Sequence, residues 1–88
     1  MTTYFVVFPR HFEDEGDDHP TLPSAHPHGY VAVEAKDEVK ARKYALDTLG
    51  AHWATIYEQG DFDPGYFPMG CLAKIRKAEG RVQMDVLK

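Results

Sequence analysis

The residue types best suited to chemistry are concentrated near the start of the chain. Residues 11–29 hold four of the five histidines, together with five carboxylates. Imidazole and carboxylate groups are the usual protein ligands of zinc and of several transition metals. One hypothesis is therefore a small metal-binding module or metal-dependent enzyme that uses His19, His26, His28 and Asp18.

The spacing within this stretch does not match a calcium-binding template. With Gly16 at the glycine position of an EF-hand loop, His11, Glu13 and Glu15 take the first three ligand positions. The twelfth position then falls on Leu22, where a bidentate glutamate is required. The template therefore does not support a calcium loop.

The remaining metal pattern is a histidine pair. His26 and His28 would lie on one side of an extended segment, where Asp17 or Asp18 could approach. Against this, residues 9–27 contain four prolines and a glycine and lack any hydrophobic period, which is typical of a loop. We therefore predict a long, acidic, solvated loop over 9–27, and neither a metal nor a cofactor.

Nucleophilic chemistry has little support in the sequence. Cys71 alternates with Met69, Ala73 and Ile75 in a predicted strand, which is typical of a buried and inert thiol. Ser24 lies among prolines without the strand-turn-helix context of a nucleophile elbow. The sequence contains no G-x-G-x-x-G, P-loop, H-E-x-x-H or C-x-x-C motif. We predict that the protein is not an enzyme and has no catalytic residues.

Length and composition bound the remaining choices. Eighty-eight residues, of which 43% are hydrophobic and 27% charged, indicate a single folded domain over 1–88. The N-terminal 35 residues carry six carboxylates against Arg10 alone, which disfavours direct nucleic-acid binding. A single cysteine, the lack of a secretory leader and the lack of a membrane-length apolar run favour a cytoplasmic location without membrane attachment.

The elements that must position these residues follow from periodicity. Residues 3–8, 28–35 and 51–58 are rich in aromatic and β-branched residues or alternate in polarity, which predicts strands. Two further alternating segments, 69–77 and 81–87, are joined by a short connection ending in Gly80 and predict a hairpin. Between the second and third strands, residues 37–49 have the period of an amphipathic helix.

These elements predict an α+β fold with the order β-β-α-β-β-β. We expect a largely antiparallel sheet of four to five strands, with the helix packed on one face. The helical angle of Arg42 lies inside the apolar stripe, between Leu46 and Leu49. An arginine there must either extend its charged group to solvent or be paired. Asp61, Asp63 and Glu34 are the candidate partners, and a ligand-binding role is the alternative.

Aromatic residues are numerous for so short a chain. Trp53 is predicted to lie in the core, whereas Tyr66 and Phe67 are divided between core and interface. Tyr4 and Tyr30 could join an aromatic patch on the sheet face that the helix leaves open. The interaction candidates are Tyr57, Tyr66, Phe67, Arg42, Asp17 and Asp18.

Residues 33–75 resemble small uncharacterised proteins encoded by phages of actinobacteria. The shared pattern is a strand ending in V-x-A, a helix with A-R, a G-x-x-W-A-x-x-Y strand and F-P-x-G before the next strand. The matching residues are Val33, Ala35, Ala41, Arg42, Gly50, Trp53, Ala54, Tyr57, Phe67, Pro68 and Gly70. The resemblance implies expression inside a bacterial host and implies no activity.

The functional hypotheses follow from these observations. The first is a non-enzymatic phage-type accessory protein that binds a host protein or a second copy of itself. The second is an acidic inhibitor of a nucleic-acid-binding protein, acting through the carboxylates Glu13, Asp14, Glu15, Asp17, Asp18 and Glu34. The metal-dependent hypothesis stands third, and a small-molecule pocket around Arg42 and Tyr57 is the fourth.

Overall fold

The computed structural model describes residues 2–10, 12 and 19–88 of the chain. The strands are β1 (Thr2–Val7), β2 (Gly29–Ala35), β3 (Thr55–Glu58), β4 (Gly70–Ala78) and β5 (Arg81–Val86). The described residues form one α-helix, α1 (Glu38–Leu49), and two 3-10 turns, Gln59–Asp61 and Pro64–Tyr66. The predicted α+β class is confirmed, and the described strands and helix follow one another along the chain as β-β-α-β-β-β.

The five strands form one mixed sheet in the order β3-β1-β2-β4-β5. β1 is antiparallel to β2 and β3, and β4 is antiparallel to β5, but the central β2–β4 pair is parallel. The prediction of a largely antiparallel sheet is therefore wrong. The chain between β2 and β4 contains α1 and β3, which is long enough to return to the end of the sheet where β2 began.

A bulge in the central pair changes the predicted alternation of β4. Tyr30 pairs with Cys71 and Val31 with Ala73, so the register shifts at this point and Leu72 is the extra residue. Cys71 is half-buried beside Tyr30, and its thiol donates to the carbonyl of Ala73 at 3.2 Å. The prediction that the Cys71 thiol is buried is therefore not met.

The core lies between α1 and one face of the sheet, the helix face, which includes Tyr4, Val6, Val31, Val33, Ala73 and Ile75. Trp53 packs against this core, and its indole N–H donates to the carbonyl of Gly50 at 2.9 Å. No helix of the described residues is both long and apolar enough to cross a membrane.

α1 begins and ends where the sequence predicts. The carboxylate of Asp37 accepts a hydrogen bond from the backbone N–H of Lys40 at 2.9 Å, and Gly50 follows the last turn with a φ of 66°. The buried side chains are Ala41, Ala45 and Leu49. The helix therefore packs on the sheet through two small residues and Leu49, with Tyr44 partly buried against the core.

Two of the larger apolar residues of α1 face outward. Val39 is 76% exposed and Leu46 is 53% exposed. Arg42 lies on the same side, also exposed, and its Nε donates to Glu38 at 3.3 Å. The predicted pairing of Arg42 with Asp61, Asp63 or Glu34 is wrong, because the buried arc of the helix is centred on the alanines.

Four described residues of the segment before β2 belong to the core rather than to solvent. Leu22 is fully buried, and Phe12, His19 and Ala25 are also buried. The prediction of a solvated loop over 9–27 is therefore wrong for these positions. His11 and residues 13–18, which include the acidic run with Asp17 and Asp18, lie outside the described residues.

The β4–β5 hairpin is confirmed. Ala78 pairs with Arg81, so Glu79 and Gly80 form a two-residue turn in which both have positive φ, 53° and 77°. Two-residue turns with positive φ at both positions match the right-handed twist of the flanking strands. Gly80, at the second position, adopts this backbone conformation without strain.

We expect Gly29→Ala to lower the free energy of unfolding by about 1–3 kcal/mol. A Cβ at this position would lie 2.7 Å from Cγ and Cδ1 of Leu72, which is fully buried. Urea denaturation measures the change. Gly60→Ala is the matched control, because a Cβ there meets nothing within 4 Å. Equal stability of the two variants would contradict the tight contact between β2 and β4.

Candidate functional site

The sheet face opposite α1, the open face, carries an aromatic cluster of Phe5, Tyr30, Tyr57, Phe62 and Phe67. Three of these rings come from β1, β2 and β3, where alternation turns them away from the helix face. Phe62 and Phe67 come from the connection between β3 and β4. This connection therefore covers part of the open face.

Phe62 is the central ring of the cluster. It stacks on Phe5 with ring centroids 4.4 Å apart and on Phe67 at 4.9 Å. Tyr30 meets Phe62 edge-on at 5.1 Å, and Tyr57 lies 5.9 Å away at a tilt. Each such ring pair contributes about 0.5–1.5 kcal/mol beyond the burial of its area. The cluster holds the β3–β4 connection against the sheet.

Local hydrogen bonds give this connection a defined shape. The carboxylate of Asp63 caps the second 3-10 turn by accepting from the N–H of Gly65 at 2.9 Å. The N–H of Phe67 donates to Pro64, and the N–H of Gly70 donates to Phe67. Gly70 has a φ of 73°, a backbone conformation that glycine adopts at little cost. The turn residues therefore position Tyr66 and Phe67.

A cleft of about 280 Å³ lies between the connection and the end of β3. Its lining residues are Tyr57, Asp61, Phe62, Asp63, Tyr66 and Phe67. Tyr66, which is 79% exposed, forms the side of the cleft made by the β3–β4 connection. Tyr57, which is partly exposed, forms the side made by the sheet. We call this feature the tyrosine cleft.

The charge of the tyrosine cleft is negative. Asp61 and Asp63 are both exposed on its lining, and no lysine or arginine is among the described residues that line it. Aromatic faces carry negative charge density and attract cations, and carboxylates add direct Coulomb attraction. The cleft is therefore suited to a cationic group.

A second concavity lies farther along the open face, toward β4 and β5. This polar groove encloses about 310 Å³ and is lined by Thr3, Ala32, Glu34, Lys74, Ile75, Arg76 and Asp85. Arg76 and Asp85 face each other at 3.8 Å. Its two carboxylates and two cations balance, so the groove has no net sign with which to select a ligand.

Of the predicted interaction residues, the structure brings three together. Tyr57, Tyr66 and Phe67 all line the tyrosine cleft, whereas Arg42 is on α1. Asp17 and Asp18 lie outside the described residues. From the sequence, Asp61 and Asp63 were candidate ion-pair partners of Arg42, and Phe5 and Phe62 had no predicted functional role.

His19 is a buried residue that accepts hydrogen bonds from the backbone. It is 3% exposed, and its Nδ1 accepts hydrogen bonds from the backbone N–H groups of Thr21 and Leu22, both at 3.1 Å. The neutral ring must therefore carry its proton on Nε2, which leaves no Nε2 lone pair for a metal. Burial lowers the pKa of His19, as does the neighbouring imidazole of His52, and the carbonyls of His52 and Leu49 oppose this shift.

The other two candidate ligands lie next to each other in the following turn. The rings of His26 and His28 are 4.9 Å apart, and Nδ1 of His26 accepts the backbone N–H of His28 at 3.0 Å. Within the described part of the chain, no three histidine, cysteine or carboxylate side chains are grouped as a metal site would require. Asp18 lies outside that part.

Tyr4 is the other side chain with a shifted pKa in the described part of the chain. Burial raises the pKa of its phenol, and the carboxylates of Glu58, Asp37 and Glu38 raise it further. The phenol therefore remains protonated near neutral pH. Tyr4 lies on the helix face and is not part of the aromatic cluster that it was expected to join.

Comparison with known proteins gives no relative for this chain. No protein-family model, curated protein or solved structure matches it.

Proposed function

We propose that the protein is a non-enzymatic binding protein that recognises another protein through the tyrosine cleft. The observation that supports this proposal is the convergence of Tyr57, Tyr66, Asp61 and Asp63 around a single concavity. A lysine or arginine side chain of the partner would lie between the carboxylates with its cationic group against the tyrosine rings. The partner is thus a protein with an exposed basic side chain.

The environment of the cleft favours such a ligand energetically. A cation over an aromatic ring gains about 0.5–2 kcal/mol, depending on how far it is removed from water. Exposed tyrosines are also frequent among the residues that dominate binding energy at protein interfaces. The aromatic cluster beneath the cleft fixes its floor before the partner arrives, which lowers the ordering cost of binding.

The resemblance to proteins of actinobacterial phages extends this proposal to a biological setting. A phage-type accessory protein would meet its partner in the cytoplasm of the bacterial host. Two residues of the resembling pattern, Tyr57 and Phe67, line the tyrosine cleft, and Pro68 and Gly70 follow directly. The pattern therefore includes part of the surface to which we assign binding.

The acidic-inhibitor hypothesis has less support among the described residues. Of its six carboxylates only Glu34 is described, and this side chain lines the polar groove together with Lys74 and Arg76. Opposite charges nearby reduce the negative potential that a basic surface would recognise. The tyrosine cleft, with two carboxylates and no cation in its described lining, is the better site for a basic partner.

Nuclear magnetic resonance titration with two isosteric probes tests the cleft. We expect N-acetyl-arginine amide to shift the backbone N–H signals of Asp61, Asp63, Gly65 and Tyr66. N-acetyl-citrulline amide has nearly the same shape without the charge and should cause much smaller shifts. The double substitution Asp61→Asn with Asp63→Asn should weaken arginine binding about tenfold or more, equivalent to about 1.4 kcal/mol. Asparagine still caps the turn, so the fold is retained.

Asp47→Asn is the matched control, because Asp47 is an exposed carboxylate on α1, away from the cleft lining. This variant should bind the arginine probe as the wild type does. Equal shifts with both probes, or shifts scattered over the surface rather than grouped at the cleft, would overturn the proposal. A partner captured from host lysate is informative only if the Asp61→Asn, Asp63→Asn protein fails to retain it.

A further inference from the structure

The strand β5 forms one edge of the sheet, at the opposite end from β3 and the tyrosine cleft. Among the described residues no strand pairs with its outer side. An edge strand presents backbone N–H and C=O groups that can pair with another chain. β5 is six residues long and contains no proline or glycine, so nothing in its sequence blocks such pairing.

The free backbone groups of β5 follow from the hairpin. The pair that flanks a two-residue turn is hydrogen-bonded, which assigns both groups of Arg81 to Ala78. Alternation then directs the N–H and C=O groups of Val82, Met84 and Val86 outward. The hydrogen bond from the N–H of Leu87 to the carbonyl of Leu72, at 2.9 Å, agrees with this alternation.

We propose that β5 pairs with β5 of a second copy of the chain, antiparallel and centred on Gln83. A two-fold axis through Gln83 would let Val82 exchange backbone hydrogen bonds with Met84 of the second copy, and Met84 with Val82. Each of these residues presents its backbone groups outward, as a hydrogen-bonded pair requires. Two five-stranded sheets would join into one continuous sheet.

Charge complementarity selects this register. Centred on Gln83, the pairing places Arg81 opposite Asp85 of the second copy, and the symmetry repeats this ion pair. Both side chains are exposed, and the contact of Asp85 with Arg76 of its own chain is long, at 3.8 Å. Centring on Arg81 or on Asp85 would instead place like charges opposite each other, which destabilises a strand pair. Centring on Met84 places Asp85 opposite Gln83 and forms no directly opposed ion pair.

Apolar contact supports the same arrangement. Val82 and Met84 point to the helix face, where both are partly buried against the core. In the proposed register they lie opposite each other across the new strand pair. Their remaining exposed area would then be covered, and the two cores would be continuous at the edge.

Sedimentation velocity over a concentration series up to millimolar tests the pairing. We expect the wild-type chain to dimerise and Arg81→Asp or Asp85→Arg to raise the dissociation constant about tenfold or more, because like charges then face each other twice. An equimolar mixture of the two variants should dimerise again, since both opposed pairs of the mixed dimer then join an acidic side chain to a basic one. Thermal unfolding of each variant checks its fold.

Disulfide formation at the two-fold axis tests the register. Gln83 would face itself in a pair without hydrogen bonds, with Cα atoms about 4.5 Å apart, within disulfide range. In a Cys71→Ala background, Gln83→Cys should form a cross-linked dimer in air, whereas Asp47→Cys on α1 should not.

A wild-type chain that stays monomeric at every concentration would overturn the pairing. A dimer that ignores the charge substitutions, or a mixture that does not recover dimerisation, would also overturn it, because association would then use another surface. The tyrosine cleft lies at the other end of the sheet, so its arginine titration is unaffected by any of these outcomes.

Discussion

Replacing Leu22 with alanine is expected to lower the free energy of unfolding by about 2–5 kcal/mol. Leu22 is fully buried, and its side chain belongs to the same core cluster as α1 and the helix face. Truncation would leave a cavity that the surrounding side chains fill only in part. A loss of this size in urea or thermal denaturation would show that the segment before β2 is part of the folded core.

Leu46→Ala is the matched control for this prediction. It makes the same chemical change on α1, where the side chain is 53% exposed, and alanine is the better helix former. Its effect should therefore stay within about 1 kcal/mol of the wild type. If Leu22→Ala is as mild as Leu46→Ala, the segment contributes little to stability and the solvated-loop interpretation would be correct after all.

The contrast between these two leucines shows what periodicity can and cannot predict. Leu46 lies in a regular apolar stripe and is exposed, whereas Leu22 lies between prolines without any period and is buried. A helix or strand repeats its direction, so pattern analysis can assign a face to each residue. An irregular segment has no repeat, and its burial depends on a path that the sequence does not reveal.

The helix illustrates a second limit of periodicity. The pattern correctly placed α1 and its two ends, yet its widest apolar arc includes Val39 and Leu46. The sheet instead contacts the side where Ala41 and Ala45 allow a close approach. The shape of the side chains, as well as their hydrophobicity, therefore selects the face of the helix that contacts the sheet. The sequence pattern takes account of hydrophobicity alone, and it placed Arg42 in an apolar environment that Arg42 does not occupy.

Strand pairing was also only partly predictable. The hairpin between β4 and β5 follows from local turn chemistry around Gly80, and the sequence predicts it well. The parallel pairing of β2 with β4 connects residues far apart in sequence, and alternation is the same for parallel and antiparallel neighbours. The bulge at Tyr30 and Val31 is likewise invisible in the pattern, and it moves Cys71 away from the face of Ala73.

The sequence predicted several residues of the candidate site, but it did not predict how they come together. Tyr57, Tyr66 and Phe67 were candidates because aromatic residues are numerous for so short a chain and are frequent at interface hot spots. Phe62 was missed, although it is the ring that connects the others. Its position between two 3-10 turns gives no strand or helix period, so only the folded connection shows which way it points.

His19→Ala should be among the most destabilising substitutions in the chain. Its Nδ1 is the acceptor for the N–H groups of Thr21 and Leu22, and an unsatisfied buried donor costs about 1–3 kcal/mol. Loss of the ring also removes contacts with Phe8 and Phe12, whose ring centroids lie 5.7 and 5.5 Å away. His19→Asn keeps an acceptor oxygen near the Nδ1 position, and we expect it to recover part of the loss in chemical denaturation.

The same pair of variants should differ from the wild type in pH dependence. The pKa of His19 is lowered in the folded state, chiefly by burial, so the unfolded chain takes up the proton first as the pH falls. Neutral His19 therefore makes its full contribution to the free energy of unfolding above the pKa of the unfolded chain, about 6.5. This contribution is lost as the pH falls toward the lower pKa of the folded state. Because one proton is involved, the free energy of unfolding changes by at most about 1.4 kcal/mol per pH unit. His19→Asn should remove this acid-side loss, whereas His28→Asn, which removes an exposed imidazole, should retain it; an identical pH profile for wild type and His19→Asn would refute the assignment.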